Sequence, residues 1–254
     1  MYPYIDIPFI EIQLPTYSLF LSIGIITAFL LLDKLLIQQT EKFKDDVFIL
    51  IAIAIPIGFI LAIKINQFFY NGYISLGIDN FNKMSVLPGF LGASIFITLM
   101  LYIKKHNPLY VFNLICPCVA IAHAFGRIGC FMGGCCYGIP TSCMTGVVFP
   151  DESPASQHYG GDTYIHPVQL YSSIVLFLIS LLLLKCVRLE YRLGFYLISY
   201  GIGRFIIEFF RGDIRSRLSV FEQISPSRLI SLFMITIGII LLYKEKPRKS
   251  LLYC

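Results

Sequence analysis

Two groups of residues carry chemistry in this chain. The first is Gly126-Arg127-Ile128-Gly129-Cys130-Phe131-Met132-Gly133-Gly134-Cys135-Cys136-Tyr137-Gly138, which sets an arginine, glycines and cysteines directly after an apolar segment ending near Phe125. An arginine in or near hydrocarbon is costly unless it faces a polar interior, so Arg127 reads as part of a site rather than as a topology signal. The second group is Tyr196, Tyr200, Arg204 and Glu208, which recur at spacing four and fall on one helical stripe, with Arg211 just beyond it. Two guanidinium forks facing a low-dielectric cavity suit a flat, doubly coordinated anion such as phosphate or carboxylate. A plain Arg204–Glu208 ion pair accounts for part of the stripe but leaves the two tyrosines and Arg211 unexplained.

Gly126, Gly129, Gly133, Gly134 and Gly138 fit a backbone that approaches a headgroup closely or takes positive φ; close helix contacts and tight turns are the alternative. Of the eight cysteines, Cys130, Cys135, Cys136 and Cys143 cluster. On an outer face they could persist as a disulfide involving Cys143, and redox sensing or a thiol relay is the rival reading. No metal is expected, because Cys-x4-Cys-Cys-x6-Cys lacks the paired spacing of zinc ligands. Cys116, Cys118 and Cys186 read as small apolar residues.

The elements that must position these groups are membrane helices. The chain of 254 residues is 57% hydrophobic and 14% charged, against about a quarter charged in soluble domains. Its net charge of +5 fits loop lysines facing anionic lipid rather than nucleic acid, which is not expected as a partner. The residues before the first apolar segment hold Asp6 and Glu11 but no basic residue, so they lack the n-region of a cleaved signal peptide and that segment is expected to be retained.

Seven stretches approach the ~20 apolar residues needed to span a bilayer, at about 17 to 36, 46 to 66, 86 to 103, 110 to 127, 167 to 186, 193 to 210 and 226 to 243. The fourth, with Asn113, Pro117 and His123, is the weakest. Helix starts are signalled at His166-Pro167 and Ser225-Pro226. With no repeat and no linker, the expectation is one domain over 1–254, an all-α polytopic membrane protein of about seven transmembrane helices. Lysine placement (Lys34, Lys42, Lys44, Lys104, Lys105, Lys185, Lys244) puts the N-terminus outside, the C-terminus in the cytoplasm, and an outer loop at about 128–166. The outer half then carries Arg127, Arg204, Arg211, Arg215, Arg217 and Arg228 against only Lys64 and Lys83. That bias toward arginine points to anion binding, with a solvated loop as the plainer reading of Arg215 and Arg217.

Three stretches, GRIGCFMGGCCYG at 126–138, HPVQLY at 166–171 and YGIGRFIIEFFRGD at 200–213, resemble the bacterial prolipoprotein diacylglyceryl transferase family in sequence, order and placement. The resemblance covers essentially the whole chain. It implies a multi-pass protein of the bacterial cytoplasmic (inner) membrane that moves a diacylglyceryl group from phosphatidylglycerol to the lipobox cysteine in a prolipoprotein signal peptide, releasing glycerol phosphate without a cofactor. It implies Arg127 and Arg204 as the catalytic pair, and Tyr17, Gly129, Cys130, Gly138, His166, Gln169, Tyr171, Tyr200 and Glu208 at the substrate. The sequence departs from the family pattern at three places. Leu87 stands at the signature histidine, Cys130 at the asparagine after GRIG, and Cys135 at the following glutamate.

Such a transfer is an alkylation of sulfur, in which the thiolate attacks a glycerol carbon and a phosphate leaves. The thiol must lose its proton and the leaving anion must be stabilised; arginine can do the second but is no base. Candidates for the base are His123, which shares a face with Arg127, and His166 and Glu208, unless the arginine field alone suffices. Two other classes stay open: a cysteine-dependent redox or metal-binding membrane protein, and a non-catalytic lipid-binding paralogue.

Overall fold

In the computed structural model, residues 4–7, 12–71, 86–212 and 226–245 are described. Arg215 and Arg217 lie outside these residues. The helices are α1 (Thr16–Leu35), α2 (Glu41–Asn71), α3 (Val86–Ile103), α4 (Pro108–Met132), a short α5 (Pro154–Tyr159), α6 (Val168–Lys185), α7 (Arg192–Ile207) and α8 (Pro226–Lys244). Each of the seven apolar stretches is therefore helical. Among the described residues, six helices are long and apolar enough to cross a membrane, while the apolar part of the third, Gly89–Ile103, is shorter. The protein is a mostly helical, multi-pass membrane protein.

Two small antiparallel ribbons accompany the helices: β1 (Tyr4–Ile7) with β2 (Ile12–Pro15), and β3 (Val147–Val148) with β4 (Tyr164–Ile165). Neither was foreseen, because hydropathy over twenty-residue windows is blind to strands of a few residues. The chain packs as two compact units, Leu35–Phe112 and the remainder, Met1–Lys34 with Asn113–Cys254.

Within Leu35–Phe112, α2 and α3 approach through glycine. A Cβ on Gly58 would come 2.8 Å from the Gly89 carbonyl oxygen, and one on Gly89 would strike the Gly58 carbonyl oxygen. Small residues serve this purpose in lipid, where helix association depends on backbone approach rather than on hydrophobic burial. Asp46 ties one end of the unit together, accepting from Lys104 Nζ at 2.6 Å and lying 2.9 Å from His106 Nε2.

In the larger unit, α7 and α8 pack in the same way through Gly194, Gly201 and Gly238. α4, with Asn113, Pro117 and His123 in its sequence, is the most buried of the candidate spans, and its neighbours take up several of its polar groups. Pro117 has no N–H and leaves the Asn113 carbonyl without its helical donor; the Cys116 thiol donates to that oxygen at 3.4 Å. Asn113 Oδ1 accepts the Leu193 N–H at 2.7 Å, capping the start of α7 from a distant helix. Ser180 and Ser173 of α6 donate to the carbonyls of Pro117 (2.9 Å) and Ala124 (3.0 Å). Between these helices Ala120, Ala124, Leu176, Leu183 and Tyr196 form a tight core.

Several boundaries differ from the sequence expectation, α2 running Glu41–Asn71 where about 46 to 66 was expected. α4 runs to Met132 instead of ending near 127, so Gly129 and Cys130 are helical. α6 starts at Val168 with Pro167 in the cap position and no side-chain cap, so His166 is not a helix cap. The segment after α4 is more than a loop. Tyr137, Phe149, Ala155 and Ile165 make a small core of their own, and α5 is started by Ser153, whose Oγ accepts the Ser156 N–H at 3.2 Å ahead of Pro154.

Candidate active site

All residues singled out for chemistry belong to the larger unit. Arg127 and Arg204 reach it from α4 and α7 and line one small cavity with His123, Ser172, Tyr200 and Gly203. Its volume of about 10 Å³ is room for roughly one water, so a phosphate enters only as these side chains part. The two guanidinium-bearing side chains thus face the same small volume. Such like charges in a membrane interior are tolerable when an anion sits between them.

Arg127 donates its Nε–H to His123 Nε2 at 3.2 Å. The accepting nitrogen must be unprotonated, which fixes the ring as the neutral tautomer with its proton on Nδ1. The His123 ring tilts against Tyr200 at 5.6 Å, and Tyr200 stacks on Tyr196 at 5.9 Å with planes 15° apart. The stripe read from the sequence is therefore a continuous column in which Tyr196, fully in the core, supports Tyr200.

Arg204 is held from two sides. Its Nη2 lies 2.8 Å from Glu208 Oε2 and donates to Ser227 Oγ on α8 at 2.9 Å. Its Nη1 is buried with no hydrogen-bond partner among the described residues. A buried orphan donor on a cation is costly and marks the place of an absent acceptor. After Ile207 the helix tightens into a single 3₁₀ turn, Glu208–Phe210, which brings Arg211 Nε to 3.8 Å from Glu208 Oε2. Glu208 thus sits between two arginines, paired with Arg204 at 2.8 Å and within 3.8 Å of Arg211.

Arg211 and Gly212 then pair with the segment following α4. Ile139 N–H donates to the Phe210 carbonyl at 2.9 Å and Gly212 N–H to the Tyr137 carbonyl at 3.1 Å. Gly138 lies at the centre of this pairing, and a Cβ there would come 2.5 Å from the His166 carbonyl oxygen and 2.8 Å from that of Phe210. Its part is close backbone approach. His166 packs on Phe210 at 5.3 Å, and its Nδ1 is 3.2 Å from the Tyr171 hydroxyl, which also contacts Thr145 Oγ1 at 3.0 Å.

Gln169 is fully buried. Its Nε2 donates to the Cys135 carbonyl at 2.8 Å, while its Oε1 has no partner among the described residues. Gly129 provides the seat for Tyr17 at the start of α1, where a Cβ would stand 3.2 Å from Tyr17 Cδ2. Leu87 lies in the first turn of α3.

The cysteines behave differently from their spacing. The sulfurs of Cys130, Cys135 and Cys136 all lie within 4.8 Å of one another, while Cys143 is exposed and in no disulfide. Cys136 is held well below the ordinary thiol range by hydrogen bonds from Cys130 and Cys135, reinforced by the charges of Arg127 and Arg211. Cys135 is pushed far up, because its proton is held between the other two sulfurs in a buried place. Sequence reasoning missed two contributors, Ser227 as partner of Arg204 and Ser172 on the cavity wall, while Arg211, noted just beyond the stripe, stands behind Glu208. Only Arg211, three residues after Glu208, carried a local signal.

Fold and site together define a polytopic membrane protein built around two arginines that line one small recess. Residues 5–244 match the family of prolipoprotein diacylglyceryl transferases, and the chain belongs to that family. It is 39% identical to the phosphatidylglycerol–prolipoprotein diacylglyceryl transferase of Clostridium tetani, over 92% of this chain and 94% of that protein. It is 34% identical to the Clostridium perfringens protein named as transferase 2, over 94% of each. With the Chlorobaculum tepidum transferase it shares 31% over 76% of this chain and 64% of that one.

Proposed function

We propose that this chain transfers the diacylglyceryl group of phosphatidylglycerol to the lipobox cysteine thiol of a prolipoprotein, at the arginine recess between α4 and α7. The observation that carries this reading is the buried Nη1 of Arg204, without a hydrogen-bond partner among the described residues, beside Arg127 in one cavity. The names and extent of similarity of the relatives support it.

In this reading the phosphodiester of phosphatidylglycerol lies across the two guanidinium groups. The acceptor thiolate attacks the glyceryl carbon next to the ester oxygen, the carbon–oxygen bond breaks, and glycerol phosphate departs. Charge grows on the departing phosphate, and preoriented donors in a dry site stabilise it more in the transition state than in the bound lipid. Arg204 is preoriented by Glu208 and Ser227, and Arg127 by His123. Tyr17, Gly129, Gly138, His166, Gln169 and Tyr171 shape the surroundings from which the two substrates enter. His123 serves Arg127 as a neutral acceptor, so proton removal falls to another group. In this reading the N-terminus faces outward and the C-terminus the cytoplasm, as the placement of lysines supports, with the recess toward the side where prolipoproteins emerge.

The test is transfer of labelled diacylglyceryl from phosphatidylglycerol to a lipobox peptide by the purified protein. Transfer that persists at the wild-type rate in both Arg127→Ala and Arg204→Ala would sink the reading. So would failure of the wild-type chain to complement a strain depleted of its own transferase.

A further inference from the structure

We infer that Cys130, Cys135 and Cys136 form a zinc site with three thiolate ligands, whose open fourth position takes the sulfur of the acceptor cysteine and presents it as the nucleophile. This rests on the transferase reading above and supplies the deprotonation that His123, occupied by Arg127, does not. Three observations carry it: the convergence of the sulfurs, the backbone that enforces it, and the cations beside it.

Zinc–sulfur bonds of about 2.3 Å in tetrahedral geometry place ligand sulfurs about 3.8 Å apart. Separations of no more than 4.8 Å close to that value by small side-chain rotations. Cys130 lies in the last turn of α4, and the Cys135 N–H donates to its carbonyl at 3.1 Å. The chain then reverses through two left-handed residues, Gly134 (φ 65°) and Cys136 (φ 57°). For Cys136 that conformation is one that L side chains rarely adopt, and it turns the third sulfur back onto the other two. Gly134 has a second constraint, because a Cβ there would be 2.5 Å from Ser153 Cβ. Gln169 pins the same turn from α6 through the Cys135 carbonyl. Two of the three ligands are adjacent in sequence, which is why the spacing resembles no paired zinc motif.

Charge and coordination agree with zinc at a catalytic rather than a structural site. A divalent ion with three thiolates carries one negative charge, and cations stand close by, Arg127 one helical turn before Cys130 on α4 and Arg211 bridged to Gly138, two residues past Cys136. Structural zinc has four protein ligands, whereas catalytic zinc has three and an exchangeable position. Among the described residues the cluster offers three. An incoming thiol on zinc gives up its proton to water and stays bound as thiolate. Its sulfur lone pair attacks the glyceryl carbon, and the sulfur–carbon bond forms as the carbon–oxygen bond to phosphate breaks. The bonding pair leaves on glycerol phosphate toward Arg127 and Arg204, and the thioether, a far weaker ligand than thiolate, leaves the metal. No oxidant or reductant is required.

The experiment uses the full chain purified in detergent under reducing conditions, stripped with a chelator and titrated with cobalt(II). Expected are the intense visible bands of a tetrahedral cobalt–thiolate, lost in Cys130→Ser, Cys135→Ser and Cys136→Ser and kept in Cys143→Ser. A lipobox peptide should shift these bands, and its serine counterpart should not. Stripping should lower transfer at least ~100-fold, with recovery on adding zinc. Absence of cobalt–thiolate bands, with full transfer by the stripped protein, overturns the zinc site and leaves the transferase reading standing. A disulfide between two of the three cysteines in protein alkylated at lysis also overturns it. Bands that respond to the peptide, with no transfer under any loading, support the metal site and remove the transferase reading instead.

Discussion

Arg127 and His123, one helical turn apart on α4, are joined by a hydrogen bond in which the arginine Nε–H donates to the histidine Nε2 at 3.2 Å. The histidine's acceptor lone pair is committed to the arginine, so its work is to aim the guanidinium group. An amide oxygen could do the same, and a methyl group could not. His123→Gln should keep transfer within ~10-fold of wild type, whereas His123→Ala should lose ~100-fold through misplacement of Arg127. Were His123 the base, both variants would fall together, by roughly 10²–10⁴-fold; initial rates of the two settle it.

Arginine-to-lysine substitutions separate charge from geometry. The fork of Arg204 is divided between Glu208, Ser227 and the recess, and an ammonium group cannot serve all three. Arg127→Lys and Arg204→Lys should each lower kcat by ~100-fold or more, with helix content by circular dichroism unchanged. A lysine variant at either position with wild-type kcat would show that charge alone is enough.

Glu208 stands between Arg204 and Arg211, with all three side chains nearly inaccessible. Glu208→Ala removes the ion-pair partner of the buried Arg204, and breaking a buried pair typically costs about 3–5 kcal/mol. The expected result is a lower Tm in detergent that added inorganic phosphate partly restores, because the anion then occupies the recess. A melting curve indifferent to phosphate would argue that the cluster is structural and not an anion site.

Gly138 tests the junction between the segment after α4 and the end of α7. A methyl group there meets two carbonyl oxygens, so Gly138→Ala should destabilise by about 1–3 kcal/mol and expose the 137–139 pairing to protease. Limited proteolysis of the purified protein reads this directly, and unchanged digestion would contradict it.

The pH dependence of cysteine alkylation follows from the thiol group. Cys136 is held below the ordinary thiol value of about 8.5, chiefly by hydrogen bonds from Cys130 and Cys135. Its thiolate therefore persists as pH falls through the range where free thiols become protonated, while Cys135, pushed up, stays protonated at every moderate pH. In metal-free protein, iodoacetamide should modify Cys136 with a rate almost flat from neutral to mildly alkaline pH and leave Cys135 unmodified. Mass spectrometry of tryptic peptides shows whether that order is reversed.

How much of this was legible beforehand depends on how local the physics is. A span of hydrocarbon demands a run of apolar residues long enough to cross it, so all seven helices could be placed within a few residues. Four-residue spacing is a property of one helix, so the Tyr196–Tyr200–Arg204–Glu208 column and the His123–Arg127 neighbourhood were readable as faces. Strands of two to four residues leave no such trace. Nor does the extension of α4 through Cys130, where glycines argue for a loop but packing of Gly129 on Tyr17 favours a helix.

What only the tertiary structure decided are contacts whose partners lie far apart in the chain or depend on an unusual backbone angle. Ser227 reaches Arg204 because α8 packs on glycines of α7, and Asn113 caps Leu193 from eighty positions away in the sequence. The three sulfurs meet because a non-glycine residue, Cys136, is held at positive φ. Composition and period reveal which side chains share an element, since covalent geometry repeats. Which elements face one another is set by the whole set of contacts at once, and a single spacing does not carry that information.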